Sequence, residues 1–431
     1  MIMARRLVRA MLLVLVLPGG CATYVPPEPP TGPLPFQARV ETQQQQGMRV
    51  SAAVLSADES REVFGANLAE NGIQPIWLKI ENREDQDFYL MMLSLDPDYF
   101  SPAEAAWISR GFGEGGTEAK VEHFFDEHIP ILVPPDSTAE GYVFVNLDPG
   151  LKPFAVDLVG DRTIRRFEFI QEVPGFEADF MQVDFKGLYQ PDEIRDLDLP
   201  GLRRYLEELP CCALGGDRET PGDPLNFVIV GEGVHVLTTL VGRGWDVTET
   251  TTTGTALQTA WSSVFGSRYR TSPVSPLYLF DRPQDAAFQK ARQSVDERNH
   301  LRLWQAPVTL EGTSVWIGQI SRDIGVKLSS KTFVTHKIDP YVDEAMLYLM
   351  LDVAASGALS RVGFVKGVGA SSRSSPRVNY TDDPYYTHGL RGVMILDQEV
   401  VPIDAIETLG WETLPGRLTD ENRLTDKKLY E

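Results

Sequence analysis

Cysteine, positive charge and long apolar runs are all scarce in this sequence of 431 residues. Its three cysteines form neither a CxxC pair nor a Cys/His ligand spacing, which argues against a structural zinc site, so no metal or other cofactor is expected. Lys and Arg number 40 against 61 Asp and Glu, and the formal charge of −21 repels nucleic acid and anionic headgroups. We therefore expect no nucleic-acid partner, and we expect any membrane contact to come from a lipid anchor.

Several motifs of known enzymes are also absent. The sequence has no GxSxG, SxxK or HExxH, which lowers the expectation of a serine hydrolase, a penicillin-binding enzyme or a zincin. Residues 111–116 match GxGxxG in letters, but a predicted helix precedes them and Glu114 adds negative charge, so a mobile loop is expected rather than a dinucleotide site. His123 and His128 lie five apart among acidic residues and predict a solvated helix face, not a metal site.

The N-terminus has the pattern of a secretory signal. Basic residues, a short apolar run over 10–17 and two glycines precede Cys21, and the apolar run is shorter than a transmembrane helix usually requires. Residues 1–20 are thus predicted to be a signal peptide, and Gly-Gly-Cys resembles a lipobox that would lipidate Cys21. Pro18 stands where an aliphatic residue is usual, so an ordinary cleaved signal is the alternative. Ala22 favours the outer membrane, facing the periplasm, over inner-membrane anchoring or a soluble periplasmic form.

The other two cysteines, Cys211 and Cys212, are neighbours in the sequence. Their Cα atoms must lie about 3.8 Å apart, below the usual disulfide range. We expect two packed thiols. A strained redox pair and a link to another chain are the alternatives.

After the predicted signal peptide, turn residues and hydrophobic periodicity divide the chain into segments. Residues 21–45 are proline-rich and predict an extended tether, and 46–185 hold short strand-like runs separated by turns, which predict an antiparallel β-sandwich of immunoglobulin-like architecture. Residues 186–222 are predicted to be a linker with a helix at 199–209, ending in a boundary rich in Gly, Pro and Asp. Strands then alternate with helices over 223–405, including a buried helix at 340–355, before a polar tail at 406–431.

Several blocks in the second half carry a family likeness. GDPLNFVIVG (222–231), LRLWQAPV (301–308), VWIGQISRDIGV (315–326), THKIDPYVDE (335–344) and DPYYTHG (383–389) resemble the LssY-like C-terminal domain, over about 222–402. That family takes its name from a protein associated with type I secretion, and in some relatives the module follows membrane domains. The resemblance implies an α/β or α+β LssY-like domain and an envelope or lipid context. It brings no catalytic residues.

The segment 301–343 concentrates the polar groups that could do chemistry. His336 is a candidate base, oriented by Asp323 or Asp339, and Arg322 or Arg302 could bind an anionic group. We expect such a site where a strand ending near 323 meets the turn at 335–340, since the start of a helix favours an anion.

Each candidate also has a structural interpretation. Asp339 before Pro340 has the pattern of a helix N-cap, Asp343 suits the helix dipole, and Arg322-Asp323 suits a strand-end ion pair. Trp304 and Trp316 are candidate binding residues on runs that favour the core. A metal site of His300, His388 and Asp323 is not expected because the spacing is long.

Two functions from different classes follow. One is a noncatalytic envelope lipoprotein, held to the membrane by its lipid, that binds or assembles with envelope proteins or with an envelope lipid or glycan. The other is a hydrolase or transferase acting on an envelope lipid, glycan or phosphoester through the His336/Asp323 region. No oligomeric state is predicted.

Overall fold

A computed structural model describes residues 23–28, 32–111, 113–148, 150–173, 187–248, 276–291, 298–329 and 333–414. Cys21 and the predicted signal peptide lie outside this part of the chain. None of the described helices is long and apolar enough to cross a membrane.

The N-terminal domain is an antiparallel sandwich of two four-stranded sheets, as the turn-punctuated strand pattern predicted. The first sheet has the order β1-β2-β3-β6 and consists of β1 (Glu41–Gln45), β2 (Met48–Val54), β3 (Ile73–Asn82) and β6 (Ser137–Asn146). The second has the order β5-β4-β7-β8 and consists of β4 (Phe88–Met91), β5 (Leu132–Val133), β7 (Leu151–Gly160) and β8 (Thr163–Glu172). Alternate apolar residues of both sheets fill the space between them.

Helices cover the outer face of the first sheet, so β3 is buried on both faces. The described helices of this domain are α1 (Ala57–Phe64), α2 (Met92–Leu95), α3 (Pro102–Ile108) and α4 (Thr117–Asp126). Of these, α1, α3 and α4 cover the sheet. The helix predicted before residue 111 is α3, and it begins with a capping box in which Ser101 and Glu104 each bond the other's backbone N–H. Phe64, Phe124 and Phe144 form the aromatic centre of this second core.

The sandwich begins earlier than the sequence indicated. The glutamine-rich segment forms β1, paired with β2 from Glu41↔Ala52 to Gln45↔Met48, and a 3₁₀ helix occupies Pro35–Arg39. Phe36 is buried in the helix-covered core. The predicted tether over 21–45 is therefore wrong for its C-terminal part, since proline-rich composition does not reveal that its few apolar residues have a core to enter.

The C-terminal domain is built on one ten-stranded mixed sheet. Its order is β13-β16-β17-β18-β12-β23-β20-β24, with β19 on β18 and β9 on β17. The strands are β9 (Arg195–Leu197), β12 (Phe227–Val230), β13 (Asp246–Val247), β16 (Ala286–Ala291), β17 (Arg298–Leu310), β18 (Thr313–Ser329), β19 (Phe333–Ile338), β20 (Leu359–Lys366), β23 (Leu390–Leu396) and β24 (Glu407–Thr408). Among the described strands of this sheet, the parallel pairs are β12–β23, β17–β9 and β20–β24.

Both faces of this sheet are covered, which makes the domain α+β. The remaining helices are α5 (Leu199–Glu208), α6 (Gly233–Gly242) and α7 (Val342–Ala354), and the short strands are β10 (Cys212–Leu214), β11 (Pro221–Pro224), β14 (Tyr278–Leu279), β15 (Arg282–Pro283), β21 (Arg377–Val378) and β22 (Pro384–Tyr385). Helices α6 and α7 pack on one face. Helix α5 and the small sheet β11-β10-β14-β15 cover the other.

The predicted linker and the described first part of the predicted tail, up to residue 414, belong to this domain. Leu202 and Leu206 of α5 are buried against the sheet, and β10 and β11 form a hairpin where the domain boundary was expected. The boundary therefore lies between β8 and β9. Leu409 and Trp411 also pack on the domain, so its end lies beyond residue 405.

Cys211 and Cys212 are joined by a disulfide between neighbours, and the prediction of two packed thiols is wrong. The usual Cα separation describes bridges between distant parts of a chain, whereas the peptide bond sets the separation of neighbours.

The two domains meet where α6 lies on β7 and β8. Glu168 accepts hydrogen bonds from His235 Nδ1 (2.6 Å) and Thr238 Oγ1 (2.7 Å) across this boundary, and Arg166 donates to the carbonyl of Ser356 (3.1 Å). Burial would raise the pKa of the Glu168 carboxyl, but the bonds from His235 and Thr238 and the charge of Arg166 hold it below its usual range. A cleft of about 180 Å³ opens beside these contacts.

Candidate functional site

A buried polar cluster lies on one face of the β17–β18 hairpin. The register pairs Arg302 with Gln319 and His300 with Ser321, so even residues of β17 and odd residues of β18 point to the same side. The cluster consists of Arg298, His300, Arg302, Gln319, Ser321 and Asp323, all of them buried.

Asp323 is the centre of this cluster, and 1% of its surface is exposed. Its Oδ2 lies 3.3 Å from Arg298 Nε, and its Oδ1 lies 3.2 Å from His300 Nδ1 without the alignment of a hydrogen bond. The other ring nitrogen of His300 is 2.9 Å from Ser321 Oγ. An aspartate between a guanidinium and an imidazole compensates charge inside the domain.

Arg302 adds a second buried guanidinium and donates to Gln319 Oε1 at 2.7 Å. Burial lowers the pKa of Arg302 to about 10, while Asp223 and Asp323 oppose this effect, so the side chain is charged at neutral pH. Asp223 is held by Asn379 Nδ2 at 2.7 Å. The cluster thus combines buried cations with the nearby carboxylates of Asp323 and Asp223, as a structural network does, and a substrate would have to open the domain to reach it.

Two of the candidate site residues, Arg322 and Trp316, lie on the opposite face of the sheet from this cluster. Arg322 donates to Asn299 Oδ1 at 3.0 Å, with its guanidinium 5.8 Å from the Tyr348 ring, and Trp316 donates to the carbonyl of Gly231 at 2.9 Å. Successive strand residues point to opposite faces, so Arg322 does not pair with Asp323. The predicted ion pair Arg322–Asp323 is therefore wrong.

Trp304 lies on the same face as the cluster, but it is fully buried in the core beneath α5. Trp316 packs among α6 and α7. Both tryptophans are core residues in this structure, consistent with the apolar runs that carry them.

Asp339 and His336 lie in the segment that leads from β19 to α7. The backbone of His336 pairs with Val326 in β19, while its side chain is outside the described part of the structure, so its pairing with Asp323 stays a prediction. Asp339 Oδ1 accepts from Tyr341 N at 3.0 Å, and α7 begins at Val342. The prediction that Asp339 caps this helix is wrong, because its carboxylate closes a turn one step earlier.

A second polar pair, Asp343 and His388, joins the start of α7 to the segment before β23. Asp343 accepts from Thr387 Oγ1 (2.5 Å), from His388 N (2.7 Å) and from His388 Nδ1 (2.9 Å). His388 Nε2 is buried and has no hydrogen-bond partner in the described part of the chain. The sequence indicated Asp343 as a residue suited to the helix dipole and His388, in the block DPYYTHG, as a remote metal candidate, but it did not link the two. Among the described residues no three His, Cys, Asp or Glu side chains gather as around a metal ion.

An exposed apolar row crosses the outer face of the second sandwich sheet. Tyr89 pairs with Leu132 on one side and with Val159 on the other, and Val159 pairs with Ile164, so the four side chains form one line across four strands. Tyr89 is 51% exposed and Leu132 40%. The next pairs along the same face, Asp157 with Arg166 among them, reach the boundary with the C-terminal domain.

Comparison with known families places the C-terminal domain. Residues 204–390 match the family model of the LssY C-terminus, which confirms the resemblance seen in the sequence. The match begins inside α5, in agreement with the packing of that helix on the domain. Comparison with curated proteins gave no match.

Proposed function

We propose that the protein is a noncatalytic bacterial envelope lipoprotein that binds a partner protein while it is anchored through Cys21 to the outer membrane, facing the periplasm. The observation that carries the proposal is the division of the expected catalytic set. Asp323 and Arg302 are buried in a charge-compensated cluster, whereas Arg322 lies on the other face of the sheet. A catalyst needs these groups together in an accessible cleft.

The apolar row of Tyr89, Leu132, Val159 and Ile164 is the binding surface in this proposal. Its apolar centre is bordered on the same face by the ion pair Asp157–Arg166. An apolar centre with a polar rim is the usual composition of a protein interface. Contiguous exposed apolar side chains on a sheet also favour a protein-binding surface, whereas single exposed apolar residues are common on any protein surface. The occupant we infer is another envelope protein.

Cross-linking in the envelope tests this surface. A photo-reactive phenylalanine analogue at Tyr89 should give one discrete adduct, and the adduct should disappear when Leu132→Asp is added. The same analogue at Leu351, which is 72% exposed on α7, is the matched control and should give none. An adduct of twice the chain mass would instead assign the row to a second copy. No adduct at Tyr89 would overturn the proposal.

One observation favours the second candidate function, a hydrolase or transferase. Asp343 holds His388 Nδ1 at 2.9 Å and leaves the buried Nε2 without a hydrogen-bond partner among the described residues, and a carboxylate orients a histidine base through the same nitrogen. In this candidate function His388, and not His336, is the catalytic base. Turnover of a phosphoester or acyl ester by the purified protein should then vanish in His388→Gln and persist in His128→Gln. Absence of turnover in the wild type rejects the enzyme.

A further inference from the structure

The loop that matches GxGxxG binds a segment of the chain itself. Thr23 forms a parallel bridge with Gly115, and Tyr24 N donates to the carbonyl of Gly115 at 2.9 Å. The Tyr24 side chain is buried, and its hydroxyl donates to the carbonyl of Phe64 at 2.8 Å. Thr23 and Tyr24 are thus held on the sandwich by backbone contacts and by the buried Tyr24 side chain.

The third glycine of the motif is required by this contact. Gly116 has φ +74°, and a Cβ there would lie 2.9 Å from Tyr24 O and 3.0 Å from Thr23 Cγ2. Gly113 also has φ +74°, yet a Cβ there would meet nothing within 4 Å. The two glycines therefore share a backbone requirement, and only Gly116 makes room for the N-terminal segment.

The charged side chain of Glu114 contacts groups within and next to the loop. Glu114 Oε2 accepts from Gly111 N at 2.6 Å and lies 3.3 Å from Lys120 Nζ. The carboxylate thus occupies the amide and the ammonium that a phosphate would need, which gives a physical reason why this motif is not a nucleotide site. Lys120 Nζ further donates to the carbonyl of Ser109 at 3.0 Å and lies 5.2 Å from the Tyr24 ring centroid.

Because one ammonium contacts both Ser109 and Tyr24, the end of α3 adjoins the N-terminal segment. Two large apolar residues precede Ser109, and Trp107 is 57% exposed, with Ile108 also exposed. The Arg110 guanidinium lies 3.6 Å from the Trp107 ring centroid. Val25, next to the docked tyrosine, is 75% exposed. Exposed apolar side chains are therefore found on both elements of this corner.

We propose that residues 23–28 form a latch on the α3–α4 loop that holds the acylated N-terminus against this corner, so that Trp107 and Ile108 rest on the membrane surface. The inference rests on the proposed lipidation of Cys21. Thr23 follows Cys21 by two residues, a span of at most about 7 Å, so the acyl chains must enter the bilayer beside the corner. Tryptophan favours the boundary between headgroups and acyl chains, and an arginine on its face can keep its charge in water.

Fluorescence quenching by brominated lipids tests the orientation. The acylated full chain is reconstituted in phosphatidylcholine vesicles with bromine near the acyl carbonyls. Tryptophan emission should be partly quenched, and Trp107→Phe should abolish the quenching while Trp411→Phe retains it. Equal quenching in Trp107→Phe would overturn the placement of this corner on the membrane.

The latch itself is tested by the matched glycines. Gly116→Ala should keep detergent-phase partitioning but lose the quenching of Trp107, since a released segment lets the corner leave the bilayer, whereas Gly113→Ala should keep both. Tyr24→Ser leaves the loop backbone unchanged and should match Gly116→Ala. Full quenching in both latch variants would overturn the latch. A wild type that does not partition refutes the anchor, and the latch with it. A wild type that partitions without quenching refutes the membrane-facing corner alone.

Discussion

Asp323 and Arg322 are neighbours in the sequence with opposite surroundings, and two substitutions separate their roles. Asp323→Asn keeps the shape of the side chain and removes its charge from between Arg298 and His300. Arg322→Gln removes a cation from the other face, where it donates to Asn299. A catalytic site that used both residues would respond similarly to the two changes.

The structure predicts unequal costs in the free energy of unfolding. Removal of one member of a buried ion pair typically costs about 3–5 kcal/mol, because the remaining charge stays buried without compensation. Asp323 is almost fully buried, so that range applies to Asp323→Asn. Arg322 is half-buried and loses a hydrogen bond to a neutral amide, which is worth about 1 kcal/mol. Asp323→Asn should therefore be the more destabilising change by several-fold.

Urea unfolding followed by circular dichroism measures both costs, and hydrogen exchange of peptides from β17 and β18 assigns the loss to this hairpin. Partner cross-linking at Tyr89 should survive Asp323→Asn at urea concentrations where the variant is folded. If Asp323→Asn left stability within about 0.5 kcal/mol of wild type yet abolished binding or turnover, the cluster would be a functional site and our reasoning would be refuted.

Three further outcomes are expected. The pKa of Glu168 is lowered in the folded state, so its contacts with α6 contribute stability above its unfolded pKa, and the urea-midpoint advantage of wild type over Glu168→Gln should shrink as pH falls through about 4. A Cβ at Gly318 would overlap the Phe227 ring, so Gly318→Ala should cost about 1–3 kcal/mol in urea unfolding, and an unchanged midpoint would contradict that packing. Cys21→Ala should move the protein from the detergent phase to the soluble periplasmic fraction, and unchanged partitioning would count against lipidation.

Local chemistry explains which elements could be read from the sequence. The strand-like runs predicted within 46–185 include β3 (Ile73–Asn82) and β8 (Thr163–Glu172), because short Val- and Ile-rich stretches between turn residues have few other conformations available. The Ser101 capping box likewise requires only four consecutive residues. The family likeness depended on residue order alone, and the match over 204–390 confirms it.

Contacts between distant segments account for the parts that local pattern missed. Strand alternation implied that Arg322 and Asp323 face opposite ways, but only the register of β17 decided that Arg298 and His300 meet the aspartate. Asp343 and His388 are 45 residues apart, and nothing in either neighbourhood predicts their bond.

The sequence by itself determined the strand-rich N-terminal domain, the family of the C-terminal domain and the expectation of an envelope address, since composition, turn residues and residue order carry each of these locally. Only the tertiary structure decided that Thr23 and Tyr24 dock on the glycine loop, that the linker belongs to the second domain and that the expected catalytic set is divided between two faces of a sheet. These outcomes depend on which pairs of surfaces exclude water when the chain packs. Such pairing involves two distant segments, so neither segment predicts it alone.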